Sequence, residues 1–233
     1  MAHVDHYNDQ GELMPSVSQI PNIYEHDMSG FEDWICAGLG PHKCCTKAKR
    51  DFYKESGSLG KDIHALREAF LNGKPFSEGV PEYQAHLFDP IAQFYTNNKY
   101  QMLFNESQMN GQTICGSWDG CGKFGVPFWE GQRLSFYHKH PLKGRPEARP
   151  TVDDIWVDDL KVKSKLDPLH PLQLYGYALL AKEVHGIEPK WGLIIRREKK
   201  LTTAPEIQLR AYYLPDYADE WKASFHMWHF LNR

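Results

Sequence analysis

The sequence lacks any long apolar run and any strong excess of charge. No stretch approaches the roughly 20 apolar residues needed to cross a bilayer, so we expect no membrane-spanning helix and no membrane partner. The formal net charge of −3 at pH 7 is not that of a strongly basic nucleic-acid-binding protein. The first residues show no basic segment followed by an apolar one, so we expect no secretory signal and a cytoplasmic location.

Cysteine is also scarce, with five residues in the chain. An odd number with an adjacent pair, Cys44 and Cys45, favours free thiols in a reducing compartment. Together with Cys36 and His42 this pair suggests zinc, but the spacing matches no common zinc finger. We therefore expect no metal in that cluster.

The 233 residues are enough for one domain with a sizeable core. Hydrophobic content of 41% and charged content of 24% are ordinary for a globular protein. We expect a single domain over residues 1–233. Its expected parts are an N-terminal hairpin with short helices (1–55), a core with a basic loop inserted at 139–151 (56–213), and a C-terminal helix (214–233).

Hydrophobic periodicity predicts helices that alternate with strands. A hairpin is expected around Asn8–Gly11, followed by an extended segment. The predicted helices are 57–72, 80–98, 169–185 and 216–231. The predicted strands are 100–104, 112–119, 155–161, 191–196 and 207–213, with further strands between 124 and 138 and a glycine turn at 120–122.

The helix predicted over 57–72 carries two stripes of side chains. Ser58 is its expected N-cap, and one stripe is apolar and faces the core. The other contains Gly60, His64 and Glu68. A histidine beside a core stripe is usually structural, but the glycine one turn before it leaves room for a ligand, and a carboxylate follows one turn later.

The strand predicted over 155–161 presents two charges on an inward face. Ile155, Val157, Asp159 and Lys161 share that face because side chains alternate along a strand. A buried charge is costly unless it is paired or holds a metal. Asp159 and Lys161 therefore form either an internal ion pair or part of a functional site.

Four motifs follow one another along the chain: Gly60-Lys-Asp-Ile-His64, Gly116-Ser-Trp-Asp119, Asp159-Leu-Lys161 and Gln173-Leu-Tyr-Gly-Tyr177. This ordered set resembles the RecB-like branch of the PD-(D/E)XK nuclease superfamily, which includes mitochondrial genome maintenance exonuclease and phage-type exonucleases. The segment Met14-Pro-Ser-Val-Ser also looks like the one that opens many members. The resemblance covers residues 14–213. It implies an α/β fold with a restriction-endonuclease-like core, a central mixed β-sheet flanked by α-helices.

The resemblance also implies the chemistry of the site. Phosphodiester hydrolysis needs a nucleophilic hydroxide and neutralised phosphate oxygens, which one or two Mg²⁺ or Mn²⁺ ions held by carboxylates supply. The implied metal ligands are His64, Asp119, Asp159 and the backbone carbonyl of Leu160. Lys161 would orient or deprotonate the attacking water.

Further residues are expected to contact the substrate. Gln173 and Tyr177 complete the implied catalytic set and would bind the nucleic acid, with Glu68 as a secondary candidate. Lys163, Lys165 and Arg196 would follow the phosphates. Trp118, Trp129 and Tyr175 are candidate stacking surfaces for bases.

The chain departs from the family pattern in two respects. Val162 follows the motif lysine where many members have threonine, and the interval from Asp119 to Asp159 is long. One group of relatives holds an iron–sulfur cluster through three cysteines after the Gln-x-x-x-Tyr helix. No cysteine follows Cys121, so we expect no cluster.

The function implied is that of a metal-dependent DNA exonuclease acting on single strands or DNA ends. Its setting would be recombination, repair or replication of a phage or other mobile element in the bacterial host cytoplasm. Partners would include a single-strand annealing or binding protein. The alternatives are a structure-specific or flap endonuclease, a catalytically silent nucleic-acid-binding protein, and a metal-free core in which Asp159 and Lys161 merely pair.

Overall fold

The computed structural model of this chain describes residues 6–8, 10–11, 13–21, 46–74, 80–130, 134–137, 148–162, 168–197 and 207–231. The helices in these ranges are α1 (Thr46–Leu71), α2 (Glu82–Asn97), α3 (His170–His185) and α4 (Ala218–Leu231), with a 3-10 helix (Leu214–Tyr217) before α4. The strands are β1 (His6–Tyr7), β2 (Leu13–Met14), β3 (Tyr100–Asn110), β4 (Cys115–Phe124), β5 (Leu134–Tyr137), β6 (Trp156–Val162), β7 (Trp191–Arg197) and β8 (Ile207–Tyr213).

Six of the strands form a central mixed sheet in the order β3-β4-β6-β7-β8-β5. The pairs β6–β7 and β5–β8 are parallel, and the other neighbours are antiparallel. Helix α3 makes the crossover that the parallel pair β6–β7 requires. The expected α/β class, a mixed sheet with flanking helices, is confirmed. Strands β1 and β2 pair as the expected N-terminal hairpin.

Helices cover both faces of this sheet, and each face has its own apolar cluster. Helices α1 and α2 contribute Ile63 and Phe88 to one cluster, whereas α3 and α4 contribute Leu174 and Trp221 to the other. Strand β6 belongs to both clusters because its side chains alternate between the faces. Every residue of β6 except Lys161 is buried. The strand that carries the Asp-x-Lys motif thus runs through the middle of the protein.

Helix α1 begins much earlier than the sequence predicts. It starts at Thr46 and not at residue 57, so Ser58 lies inside the helix and is not its N-cap. The helix also crosses the division expected between residues 55 and 56. Glycine and serine at 57–60 suggest a helix start, but propensity is a weak guide that tertiary context overrides. The predicted C-terminal end is confirmed, with Gly73 in the left-handed region at φ 68°.

Strand β4 runs straight through the turn predicted at 120–122, so that prediction is wrong. Gly120 and Gly122 do not form a turn. They leave space for neighbours, because a Cβ at Gly120 would collide with the guanidinium of Arg67 and one at Gly122 with the ring of Tyr100. Asp119 therefore lies in the interior of its strand.

The remaining element predictions agree with the structure to within two residues for α2, α3, β6, β7 and β8. Strand β3 extends to Asn110, well beyond the predicted end at 104. No helix in the described ranges is long and apolar enough to cross a membrane. The cysteine cluster at 36–45, the basic residues Lys163 and Lys165, and most of the basic loop at 139–151 lie outside the described residues.

Candidate active site

Asp119 is the point at which the motif elements meet. Its Oδ1 lies 3.1 Å from Nδ1 of His64 on α1. Its Oδ2 accepts a hydrogen bond of 2.7 Å from the backbone amide of Leu160 on β6. Three separate elements, α1, β4 and β6, are therefore joined through this one carboxylate.

Asp159 and Lys161 lie next to this junction as an ion pair. Nζ of Lys161 is 2.7 Å from Oδ2 of Asp159, and the two side chains are 18% and 4% exposed. The negative charge of Asp119 also acts on the Asp159 carboxylate. The carboxylate of Asp159 is thus buried between one cation and one like charge.

The pKa values of the two carboxyl groups are driven apart. Burial raises the pKa of Asp159 to about 7; the charge of Lys161 opposes this rise, and the negative charge of Asp119 adds to it. Burial also acts to raise the pKa of Asp119, but the hydrogen bond and charge of His64, with the charges of Lys161 and Arg67, lower it below its usual range. Paired carboxyl groups with separated pKa values are typical of acid–base sites.

Helix α3 brings Gln173 and Tyr177 to the same place. Nε2 of Gln173 donates a hydrogen bond of 3.0 Å to the hydroxyl of Tyr177. Burial raises the pKa of Tyr177, and the charges of Asp159 and Asp119 raise it further. The phenol is therefore neutral and lies within electrostatic reach of both carboxylates.

The glycine of the second motif makes room for this tyrosine. A Cβ at Gly116 would lie 3.3 Å from the ring of Tyr177 and 3.3 Å from Val17. Val17 is fully buried, and its amide donates to the carbonyl of Cys115 at 2.7 Å. The Pro-Ser-Val segment thus packs beneath the junction of β4 and α3.

A buried polar network on the opposite face of β6 was not anticipated from the sequence. Arg67 and Asp158 form a fully buried ion pair. Tyr95 donates to Oδ2 of Asp158 at 2.8 Å, and Tyr100 donates to Oδ1. Arg67 also donates through Nε to the hydroxyl of Tyr95 at 2.9 Å and through its guanidinium to the backbone carbonyl of Asp119. Two features of the sequence could have indicated this network: Arg67 follows His64 by one helical turn, and Asp158 directly precedes Asp159.

Several residues expected to contact substrate lie in the interior. Arg196 is only 7% exposed and donates a hydrogen bond to Gln208 on β8. Trp118 is fully buried, where it packs at a tilt against Phe104 and stacks on His185, so its prediction as a stacking surface for bases is wrong. A substrate-binding role for Arg196 stays a prediction that its burial does not favour.

The other aromatic and acidic candidates occupy less buried positions. Trp129 is half-buried and stacks on Trp156 with ring centroids 5.8 Å apart. Tyr175 is also half-buried and meets Trp221 edge-on. Glu68 is exposed on α1, one turn beyond His64. Base stacking on Trp129 and Tyr175 and a substrate contact by Glu68 therefore stay predictions.

The donor set suits a hard divalent cation by its chemistry, although the donors contact one another in this structure. Within the described ranges, no three His, Cys, Asp or Glu side chains are arranged to hold a metal ion. The donors available are the carboxylates of Asp119 and Asp159 and the imidazole of His64, and carboxylate oxygens are the ligands that such a cation prefers. Metal binding would therefore replace contacts that now join these side chains to each other.

Comparisons with known proteins add little to this geometry. No known family model matches the chain, and no curated protein matches it. Among solved structures, it is similar to an alkaline exonuclease from Laribacter hongkongensis, with a TM-score of 0.32 and 9% identity over 73% of this chain and 89% of that one. A TM-score this low establishes neither a shared family nor a shared activity.

Proposed function

We propose that this chain is a Mg²⁺- or Mn²⁺-dependent deoxyribonuclease that hydrolyses phosphodiester bonds, acting as an exonuclease on single-stranded DNA or on DNA ends. The observation that carries the proposal is the convergence of a half-buried and a buried carboxyl group with separated pKa values, an imidazole and an ammonium. They come from three elements of the fold, and a fourth supplies Tyr177. A set of this kind is what metal-assisted phosphate hydrolysis needs.

His64, Asp119, Asp159 and the carbonyl of Leu160 would hold the metal. The amide of Leu160 already points at Asp119, and in an extended strand the carbonyl of a residue points to the same edge as its amide. When bound, the metal polarises a phosphate oxygen and lowers the pKa of its water. Asp119 remains ionised over the working pH range because its pKa is lowered.

Lys161 is the positive group of this site. Its side chain is 18% exposed, so the ammonium can contact a phosphate that approaches from solvent. There it would offset phosphate charge and help to orient the attacking water. Because Gln173 donates to the hydroxyl oxygen of Tyr177, the phenolic proton is left to donate to a substrate oxygen.

The proposal also includes a biological setting for the enzyme. The enzyme would act on DNA in recombination, repair or replication of a phage or other mobile element, in the host cytoplasm and beside a single-strand annealing or binding protein. The support for this setting is the order of the four motifs, Gly-x-x-x-His, Gly-x-x-Asp, Asp-x-Lys and Gln-x-x-x-Tyr.

The proposal is tested by a gel assay on single- and double-stranded DNA labelled at either end. Each substrate is incubated with Mg²⁺, Mn²⁺ or EDTA, using the wild type beside Asp159→Ala and Lys161→Ala. We expect metal-dependent shortening of linear DNA by the wild type and none by either variant. The label released first gives the polarity.

Two controls separate the alternatives. Cleavage of closed circular single strands would identify an endonuclease and contradict the exonuclease assignment. Binding of DNA without cleavage in any metal would contradict the enzymatic proposal and favour a nucleic-acid-binding protein. A matching RNA substrate tests the assignment to DNA.

A further inference from the structure

Arg67 is a single side chain that joins the three elements carrying the proposed metal ligands. It projects from α1 one turn after His64. Its guanidinium donates to the backbone carbonyl of Asp119 on β4 and to the carboxylate of Asp158 on β6, the residue next to Asp159. A shift of any of these elements relative to the others would break one of these bonds.

The surroundings of Arg67 are built to hold it in one position. Arg67 is 1% exposed, and Tyr95 and Asn105 accept further hydrogen bonds at 2.9 Å and 3.5 Å. Gly120 leaves the space that the guanidinium fills. The planar, five-donor guanidinium suits this role because it can bond two elements in fixed directions, which an ammonium cannot.

Stability alone does not explain a charged pair at this place. Removing two charges from water is costly, and well-packed apolar residues of similar volume often serve a buried site at least as well. Burial acts to lower the pKa of Arg67, but the negative charge of Asp158 and the neighbouring tyrosines raise it. Arg67 is thus kept charged, and its guanidinium bonds directly to the backbone of Asp119.

We propose that Arg67 is a positioning residue, which acts through the Asp119 carbonyl and Asp158 to set the spacing between the carboxylates of Asp119 and Asp159. This inference rests on the function proposed above, because it concerns the geometry of the same metal ligands. Groups that orient metal ligands typically change metal affinity or activity by about 10- to 100-fold when they are removed. We expect a loss in that range of Mn²⁺ affinity and of kcat, with little change in KM, since Arg67 lies behind the ligands and away from the substrate.

The test uses two variants and one control. Arg67→Met combined with Asp158→Leu removes both charges, so that neither remains buried and unpaired. Arg67→Lys retains the charge pair but cannot bond both strands. Leu209→Ala truncates a buried side chain on β8, two strands away from β6, and reports the effect of lost stability alone. Each protein is checked by thermal melting, and Mn²⁺ affinity is measured by calorimetry beside the kinetics on a single-stranded oligonucleotide.

The outcomes separate the positioning role from the proposed function itself. Loss of Mn²⁺ affinity and kcat in the folded Arg67 variants, with both retained in Leu209→Ala, supports the inference. Wild-type affinity and kcat in Arg67→Lys and in the double variant would mean that the network is only structural. If the double variant does not fold, Arg67→Lys decides alone. A wild type that neither binds Mn²⁺ nor cuts DNA contradicts the proposed function before any variant is made.

Discussion

Asp158 and Asp159 are consecutive residues on β6, yet their side chains are in opposite situations. Asp158 is fully buried and receives hydrogen bonds from Arg67, Tyr95 and Tyr100. Asp159 is nearly as buried, but it pairs with the partly exposed ammonium of Lys161 and lies beside the negative charge of Asp119. One carboxylate is held by three donors in the interior, and the other is held by a cation that reaches solvent.

The difference shows that the two faces of a single strand can place neighbouring carboxylates in very different surroundings. A buried charge with a full set of donors fixes the packing around it. A buried carboxyl with a raised pKa beside a second carboxylate is where a metal or a proton can bind. Burial alone does not separate the two cases, since both side chains lie inside the protein.

The largest expected effect is a loss of DNA cleavage when Lys161 or Asp159 is replaced. Lys161→Met should lower the cleavage rate by about 10²- to 10⁴-fold, the range for a group that assists proton transfer. Asp159→Asn should abolish metal-dependent cleavage, because it removes a proposed ligand. Rates are measured on end-labelled single-stranded DNA under single-turnover conditions. A Lys161→Met protein that cuts at the wild-type rate would contradict the role given to this face.

The largest loss of stability should follow from replacing Arg67, the partner of Asp158 on the other face of β6. Arg67→Met leaves Asp158 buried and unpaired, which typically costs about 3–5 kcal/mol of unfolding free energy. Lys161→Met should cost clearly less, because Asp159 can take up a proton in place of its partner. Urea denaturation of both variants measures the contrast. Equal losses would favour the view that Asp159 and Lys161 are only an internal ion pair.

Metal should stabilise the protein through Asp159 and not through Asp158. At a free Mn²⁺ concentration 100 times the dissociation constant, the wild type should gain about 2.7 kcal/mol of unfolding free energy. Asp159→Asn should gain almost nothing. Thermal melts with Mn²⁺ and with EDTA measure the gain, and Lys182→Met, at an exposed ion pair on α3, serves as the control that keeps the full effect.

The pH dependence should follow Asp159. Burial raises the pKa of Asp159 to about 7, so below that pH a metal must displace a proton, and Mn²⁺ affinity should fall about tenfold per pH unit. Without metal the sign is reversed: the stability that the neutral carboxyl contributes is present at low pH and is lost as pH rises through about 7. Calorimetric titrations between pH 5.5 and 8.5 measure the affinity, and a flat profile would count against Asp159 as a ligand.

The smallest effect concerns one glycine on α1 and one on β4. A Cβ at Gly60 meets nothing within 4 Å, so Gly60→Ala should stabilise α1 by up to about 1 kcal/mol through helix propensity. A Cβ at Gly120 would collide with Arg67, so Gly120→Ala should destabilise the protein by about 1–3 kcal/mol. Thermal melting of the two variants should show shifts of opposite sign.

The sequence determined much of the candidate site around Asp159. Periodicity and residue type predicted β6, α2 and α3 closely, since these signals are local and repeat every two or about 3.6 residues. The order of the motifs singled out His64, Asp119, Asp159, Lys161 and the Gln173–Tyr177 pair, and the structure brings them together. Their roles in metal binding and catalysis stay predictions until the assays above are made.

Only the tertiary structure decided what lies on the other face of β6. Arg67 reaches Asp119 and Asp158 across 52 and 91 positions of the chain, and no local pattern encodes such contacts. The same holds for the glycines at 120 and 122, which look like a turn until the side chains that fill their space are known. It holds also for Arg196, whose burial depends on its partner strand β8. Spacing along a chain fixes which residues share a face, whereas packing between elements fixes which partners each charge meets.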